Sequence, residues 1–308
     1  LKPLVIENLQ KTYLKGVRRQ KVLAVRGLSL EVEEGEVFGF VGPNGAGKST
    51  TIKVLCNLIR PTTGRASLMG KDVTSAEARR QVGYLPENPS YYDYLTGEEL
   101  LAFNGATHGM SAHRIRERST ELLEMVELTP AAKRPLRTYS KGMVQRLGIA
   151  ASLIHDPQVL IWDEPMSGLD PIGRKQTTDL MLDLRRQGKT IFFSTHILAD
   201  VEQVCDRIGM IVQGDMAYIG KLEEIRSAAI EHYRVVFQPS GRIDAALFGP
   251  YRPEVHGGRY HLEVPPAQFG EIMKRLLSEG AEIVSVEPKR VRLEDVFVGL
   301  TRRTEVGR

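Results

Sequence analysis

Gly42-Pro43-Asn44-Gly45-Ala46-Gly47-Lys48-Ser49-Thr50 is the stretch that decides the fold. It fits G-x-x-x-x-G-K-[ST], the loop that cradles phosphates. Its glycines let the backbone curl until successive N–H groups face one point. Lys48 supplies a point charge for the outer phosphates, and the Ser49 hydroxyl suits Mg²⁺. Before the loop, Glu36-Val37-Phe38-Gly39-Phe40-Val41 predicts a buried strand. After it, Ile52, Leu55, Cys56 and Ile59 fall at helical spacing, with Pro61 as the expected stop. Strand, glycine loop and helix in that order place phosphates at a helix N-terminus, where the dipole favours negative charge. The pattern predicts a nucleoside triphosphate site.

The chain around this loop has the composition of a globular protein. At 308 residues it suits two domains and can bury a sizeable core. Lys+Arg 42 against Asp+Glu 38 leaves +4, spread along the chain. The short clusters Arg18-Arg19-Gln20-Lys21 and Arg302-Arg303 read as solvated faces, so no nucleic-acid partner is expected. The two cysteines, Cys56 and Cys205, each sit in an apolar helical pattern and read as core residues of a protein from a reducing compartment. No apolar run approaches the roughly 18 residues of a membrane span. No signal-peptide pattern is present either, and the chain opens at Leu1 rather than Met, which leaves room for a few preceding residues.

Leu4-Val5-Ile6-Glu7-Asn8-Leu9 predicts a strand, with Tyr13 following it in a basic loop, and Ala24 to Val32 predicts a second. Residues 88 to about 155 are helical in pattern, a helical insert in an α/β chain. It carries a capping box at Thr96-Gly97-Glu98-Glu99 and a helix after the Ser111 cap that turns Ile115, Ser119, Leu122 and Val126 to one side. Val159-Leu160-Ile161-Trp162 fits a strand buried on both faces. A helix from Arg174 to Gln187 should end at Gly188, and the strand Thr190–Thr195 delivers His196 at its carboxyl end, the edge where open α/β sheets bind ligands. Ile197, Val201, Val204 and Ile208 mark another helix, followed by a hairpin about Gly214-Asp215. A domain boundary is expected near residue 225. Beyond it, strands at 234–237, 260–264 and 282–286, a helix at Ala267–Ser278 and a short helix at Ile243–Leu247 suggest a small α+β unit of ferredoxin-like type over 226–308.

Two further stretches bear on chemistry. Asp163-Glu164 puts two carboxylates at the end of the strand that begins at Val159. Two adjacent acids after a strand are often just a polar turn. Beside a phosphate loop, Asp163 is placed to hold Mg²⁺, directly or through water, and Glu164 to orient and deprotonate the attacking water. In Tyr139-Ser140-Lys141-Gly142-Met143-Val144-Gln145-Arg146, Ser140 looks like the N-cap of a helix with Leu147, Ala151 and Ile154 on its apolar side. The Ser140 hydroxyl, the Gly142 amide and the helix N-terminus form a second anion-binding device.

Phosphate loop, helical insert, Ser140 and Gly142, Asp163-Glu164, Ser167-Gly168-Leu169-Asp170 and His196, in that order, resemble the ATP-binding cassette family over residues 4 to about 225. The Tyr139–Met143 stretch and Tyr84-Leu85-Pro86-Glu87 resemble in particular the ATPase subunits of exporters whose membrane domains are separate chains. The resemblance implies a P-loop NTPase core with an antiparallel β subdomain and the helical insert, with ATP and Mg²⁺ as cofactors. It also implies a homodimer, a transmembrane permease as partner and a peripheral place on the cytoplasmic face of the cell membrane. By position, it implies catalytic roles for Lys48, Glu164 and His196, the last meeting the γ-phosphate. Tyr13 would stack on adenine, Ser140 and Gly142 would close over the partner's ATP, and Asp170 would communicate across the dimer. Gly42, Pro43, Asn44, Gly45, Ala46, Gly47, Lys48, Ser49 and Thr50 would hold the phosphates, with Ser49, Asp163 and Glu87 toward the metal.

This chain departs from the family's commonest pattern twice. Tyr139, Lys141 and Met143 replace three residues of Leu-Ser-Gly-Gly-Gln, and Glu87 stands where many members have glutamine. Tyr91, Tyr92 and Tyr94 are either insert core or a contact for the membrane partner. The alternative, a soluble cassette ATPase acting on ribosomes or DNA, usually brings tandem cassettes, long coiled arms or zinc modules. A single phosphate loop and two cysteines argue against it. A binding module without hydrolysis conflicts with Glu164 and His196. Residues 290–297 resemble the ending of many exporter ATPases, and the transported substrate has no signature in the chain.

Overall fold

Alternating and continuous apolar runs build two different sheets in the first part of the chain. The computed structural model describes residues 1–16, 20–226, 230–239, 248 and 250–290. β1 (Leu4–Lys15) and β2 (Gln20–Val32) pair antiparallel, burying Leu4, Ile6 and Leu9 against Val25, Leu28, Leu30 and Val32. β3 (Val37–Val41) is buried at every position, as a central strand must be, and runs into the phosphate loop and α1 (Lys48–Leu55). β4 (Thr63–Leu68), β5 (Lys71–Asp72), α2 (Ala76–Arg80) and β6 (Val82–Leu85) follow. The insert holds α3 (Gly97–Thr107), α4 (Ala112–Met125) and α5 (Lys141–Leu153). The sheet then resumes with β7 (Val159–Asp163), α6 (Pro171–Arg186), β8 (Thr190–Thr195), α7 (Leu198–Val204), β9 (Arg207–Val212) and β10 (Asp215–Lys221).

One sheet is antiparallel, in the order β2-β1-β4-β5. The other has the order β10-β9-β3-β8-β7-β6, parallel throughout except for the β10 edge. Phe38, Phe40 and Phe192 of the parallel sheet share one core with Leu4, Ile6, Leu28 and Leu68 of the antiparallel one. Trp162, fully buried on β7, donates from its indole N–H to Ser152 Oγ at 3.1 Å and so fastens α5 to the sheet. The P-loop strand β3 lies between β8 and β9, so the loop, the end of β7 and the end of β8 emerge together at the carboxyl edge.

The insert is capped as its sequence predicts. Thr96 accepts from Glu99 N–H while the Glu99 side chain accepts from Thr96 N–H, and Ser111 accepts from Arg114 N–H. The three tyrosines ahead of α3 divide: Tyr91 is half-buried, and desolvation of its phenol pushes it up to about 12. Tyr92 and Tyr94 are exposed and stack on one another at 5.6 Å.

Several elements end elsewhere than the sequence predicts. Tyr13 lies inside β1, opposite Val22, because the two strands continue as a ribbon beyond the point where the apolar alternation stops. α1 ends at Leu55, not at Pro61. Asn57 takes a left-handed φ of 53°, and Leu58 N–H reaches back to Lys53 O at 2.8 Å, closing the helix in a Schellman turn. α6 begins three residues early because Asp170 caps it, its Oδ1 accepting from Gly173 N–H at 2.8 Å, with Pro171 at the first position. Ile208 belongs to β9, not to the helix before it, and Cys56 and Cys205 close α1 and α7 rather than lying within them.

After α8 (Leu222–Arg226), β11 (Ile230–Gln238), β12 (Glu254–His256), β13 (Arg259–Val264), α9 (Pro266–Ser278) and β14 (Glu282–Arg290) form a second unit, and the chain divides between Leu222 and Glu223. Its sheet is antiparallel in the order β12-β13-β11-β14. Val235, Phe237, Leu262 and Val264 pack against Ile272 and Leu276 of α9. The helix expected at 243–247, the Arg18-Arg19 and Arg302-Arg303 pairs and residues 291–297 lie outside the described residues.

Candidate functional site

The phosphate loop is shaped by two close approaches. A Cβ on Gly42 would lie 2.4 Å from Ile211 O, and one on Gly47 would lie 2.6 Å from Ala24 O, where φ is 112°. Gly47 is the N-cap of α1 in a left-handed conformation, and among the described residues no side chain caps that helix. The first-turn amides are thus left to a ligand. Lys48 is almost wholly buried, and its ammonium donates to Gly42 O at 2.6 Å and to Pro43 O at 3.4 Å.

The end of β7 supplies the carboxylates. Glu164, also buried, has a left-handed φ of 51°. Its N–H donates to Ser194 O at 3.2 Å and to Ser194 Oγ at 3.1 Å. Its two carboxylate oxygens face different partners: Oε1 stands 3.4 Å from Lys48 Nζ, and Oε2 stands 3.0 Å from His196 Nδ1. The Ser194 hydroxyl donates to Asp163 Oδ1 at 2.5 Å, so one serine on β8 holds both acidic residues. Behind the site, burial raises the Asp200 carboxyl above its usual range, and Arg174 at 3.4 Å only partly opposes this.

Residues 43–45 and 47–50, with Ala24, Glu87 and Glu164, wall a cleft of about 260 Å³. The structure therefore brings Lys48, Ser49, Thr50, Glu87 and Glu164 into one space, with His196 and Asp163 on Glu164's flanks. Ala46 is buried beneath the loop, where its carbonyl accepts from Gly214 N–H at 2.9 Å. Tyr13 stands apart on β1, its ring under Lys11 Nζ at 5.2 Å and its cross-strand partner Val22 two residues before Ala24. Ser140, Gly142 and Asp170 do not join the cleft. They line a separate depression of about 460 Å³ with Lys141, Leu169 and Gly173. Ser140 caps α5 by accepting from Met143 N–H at 3.2 Å.

Sequence reasoning passed over three contributors. Ala24 was visible only as part of a strand. Ser194 was the lone hydroxyl before a threonine in an apolar run, the one signal that could have marked it. Gln145, quoted within the α5 stretch, proves to be buried with its amide on the backbone after β7. Ser49, Glu87 and Asp163 offer a hydroxyl and two carboxylates, all hard oxygen donors. Among the described residues no group of three His, Cys, Asp or Glu side chains is arranged to hold a metal by itself. That donor set fits Mg²⁺ shared with phosphate oxygens better than a metal in an all-protein cage.

A phosphate cradle, a buried base candidate held by lysine and histidine, and a second capped helix end form the arrangement that comparison with known proteins tests. The ABC transporter family model matches residues 25–167. An ABC transporter ATP-binding protein of Synechocystis is 42% identical over 94% of this chain and 82% of its own length. The linearmycin resistance ATP-binding protein of Bacillus subtilis is 33% identical over 98% of this chain and 99% of its own. The chain belongs to the ABC transporter ATP-binding proteins. Among solved structures, a dimeric ATP-binding cassette in a post-hydrolysis state with ADP and Pi matches this cassette at a TM-score of 0.66 and 27% identity. That match covers 71% of this chain and 98% of the other.

Membership makes this ABC subunit an ATP-binding protein of the P-loop NTPase fold and of the ABC ATPase class. Among its described residues no helix is long and apolar enough to cross a membrane.

Proposed function

We propose that this ABC subunit hydrolyses Mg²⁺-ATP at the Lys48–Glu164 cleft and powers export through a separate membrane-spanning chain, from the cytoplasmic face of the membrane. One observation carries the reading: Ser140 and Gly142 line a depression of their own, away from the cleft. An anion-binding helix end with no phosphate cradle beside it suits the nucleotide held by a second copy. Two copies facing one another would close each ATP between the Lys48 loop of one and the Ser140–Gly142 helix end of the other. ATP supplies the negative charge that joins two positive helix ends, so binding favours the closed dimer and hydrolysis releases it. The dimeric cassette with ADP and Pi and the relative named for linearmycin resistance support this reading.

In the cleft, the loop amides and Lys48 hold the phosphates, and Tyr13 stacks on the adenine. Glu164, already hydrogen-bonded to His196, takes the proton of the attacking water, and His196 reaches the γ-phosphate. Ser49, Asp163 and Glu87 would hold Mg²⁺, which when bound would supply neutralising charge to the phosphates. Asp170, capping α6 beside Ser140, belongs to the surface between copies. The exposed, stacked Tyr92 and Tyr94 ahead of α3 suit the contact with the membrane chain. We read residues 226–308 as a ferredoxin-like accessory unit, a reading supported by the strand order β12-β13-β11-β14.

The test is Glu164→Gln with saturating Mg²⁺-ATP, followed by light scattering after size exclusion. The expected outcome is a dimer that persists with ATP and falls apart without it. A chain that stays monomeric under those conditions, with its membrane partner supplied, overturns the reading.

A further inference from the structure

We infer that Gln145 is a positioning residue that ties the Ser140–Gly142 end of α5 to the backbone of Glu164, joining the two half-sites carried by one chain. The inference rests on the roles proposed for Glu164 and Ser140. Gln145 is 1% exposed, and its amide NH₂ donates to two successive carbonyls, Glu164 O at 3.3 Å and Pro165 O at 3.0 Å. These flank a peptide that needs support, because Glu164 sits at φ 51°, a region that a residue with a long side chain seldom adopts. Ser194 holds the N–H side of that residue, from β8. The carbonyl side is held by Ser167 N–H at 3.0 Å, from within the same turn, and by Gln145. Gln145 is thus the contact through which α5 grips the carboxylate's own residue.

The same helix face makes two other contacts with this turn. Lys141 and Gly142 lie four and three residues before Gln145, one turn away on the same side. The Lys141 stem covers Gly168, whose Cβ position would lie 2.9 Å from Lys141 Cδ. The Cβ position of Gly142 lies 3.5 Å from Leu169 Cδ2. The helix end that meets one nucleotide and the peptide that aims Glu164 at the other are therefore joined across a single turn of α5. Packing alone would not ask for glutamine here. An apolar side chain of the same length fills the space but leaves two buried carbonyls without this donor.

Gln145→Met keeps volume and removes the donor. In the full chain, steady-state ATP hydrolysis should fall roughly 10- to 100-fold, the scale of a catalytic group displaced by a fraction of its bond reach. The KM for ATP should change less than about threefold, and ATP-driven dimerisation in a Glu164→Gln background should persist. Combined with Ser140→Ala, the two losses of turnover should be less than multiplicative, because both act through one link. Turnover of folded Gln145→Met within about twofold of wild type overturns the inference, as do strictly multiplicative losses or equal losses in turnover and ATP affinity. If Gln145→Met does not fold, Gln145→Asn, which keeps the donor but shortens its reach, is judged by the same ratio of turnover to KM. Wild-type turnover in Glu164→Gln would sink the reading of Glu164 and the inference together. An inert, dimerising Glu164→Gln beside a fully active Gln145→Met sinks the inference alone.

Discussion

α1 and α5 begin at the two helix ends proposed to bind anions, and they are built in opposite ways. α1 starts from Gly47 in a left-handed conformation with no side-chain cap among the described residues, so its first amides turn toward the cleft. α5 starts from Ser140 in an extended conformation, and the serine hydroxyl already occupies Met143 N–H. Lys48 at the first end is buried between carbonyls and Glu164, whereas Lys141 at the second is exposed and lends its stem to Gly168. The first end is walled by residues from several elements. The second is a shallow surface. This difference supports the proposal that the uncapped, enclosed end holds the triphosphate and the capped, open end adds to one already held.

Lys48→Ala should break this comparison most severely. It removes the cation proposed for the phosphates and leaves the Glu164 carboxylate buried beside His196 alone. Phosphate release should fall on the order of a thousandfold, and nucleotide titration should show at least a ~10-fold weaker site.

Gly47→Ala tests the uncapped geometry itself. A Cβ at φ 112° and 2.6 Å from Ala24 O should cost about 2–3 kcal/mol in denaturant unfolding and abolish measurable ATP binding. Gly45→Ala, where nothing lies within 4 Å and φ is 80°, should cost only about 1 kcal/mol.

Ser140→Ala should act on the other end only. Loss of the cap costs about 1 kcal/mol of stability, and ATP-driven dimerisation and turnover fall roughly tenfold. Affinity of the single chain for ATP should not change. An effect on that affinity as large as that of Lys48→Ala would show that the two ends are not separate devices.

The smallest effect on turnover belongs to the far end of α5, where no ligand is expected. Burial, then the His108 ring stacked at 3.7 Å and, more weakly, the Lys189 charge push His155 down to about 4, against the bond from its Nε2 to Val82 O and the nearby Asp156 carboxylate. Between the ordinary value near 6.5 and about 4, the unfolded chain takes up a proton that the folded chain does not. Stability is therefore full above that window and falls as pH drops through it, by about 3 kcal/mol at most. In His155→Phe the midpoint of denaturation should lose this part of its pH dependence, while turnover at neutral pH stays near wild type.

Much of the site was legible because its requirements are local. Gly45 and Gly47 take left-handed φ within the loop itself, and the Thr96, Ser111 and Ser140 caps need a hydroxyl at one position beside a helix. Those demands are written within a few residues of one another. Tyr13 was misplaced because the length of β1 is set by pairing with Val22 across a turn, not by its own apolar alternation. Ile208 kept a helical spacing by accident while the chain had already entered β9.

By itself, the sequence determined that a phosphate cradle follows a buried strand, that two carboxylates end another, and that a helical insert stands between them. Each is a property of neighbouring residues and their backbone preferences. Only the tertiary structure decided that Ser194 holds Asp163 and Glu164 together, that Gln145 supports Glu164 from another helix, and that Ser140 and Lys48 face different spaces. Those facts are distances between residues far apart in the chain, and they exist only once β7, β8 and α5 have packed.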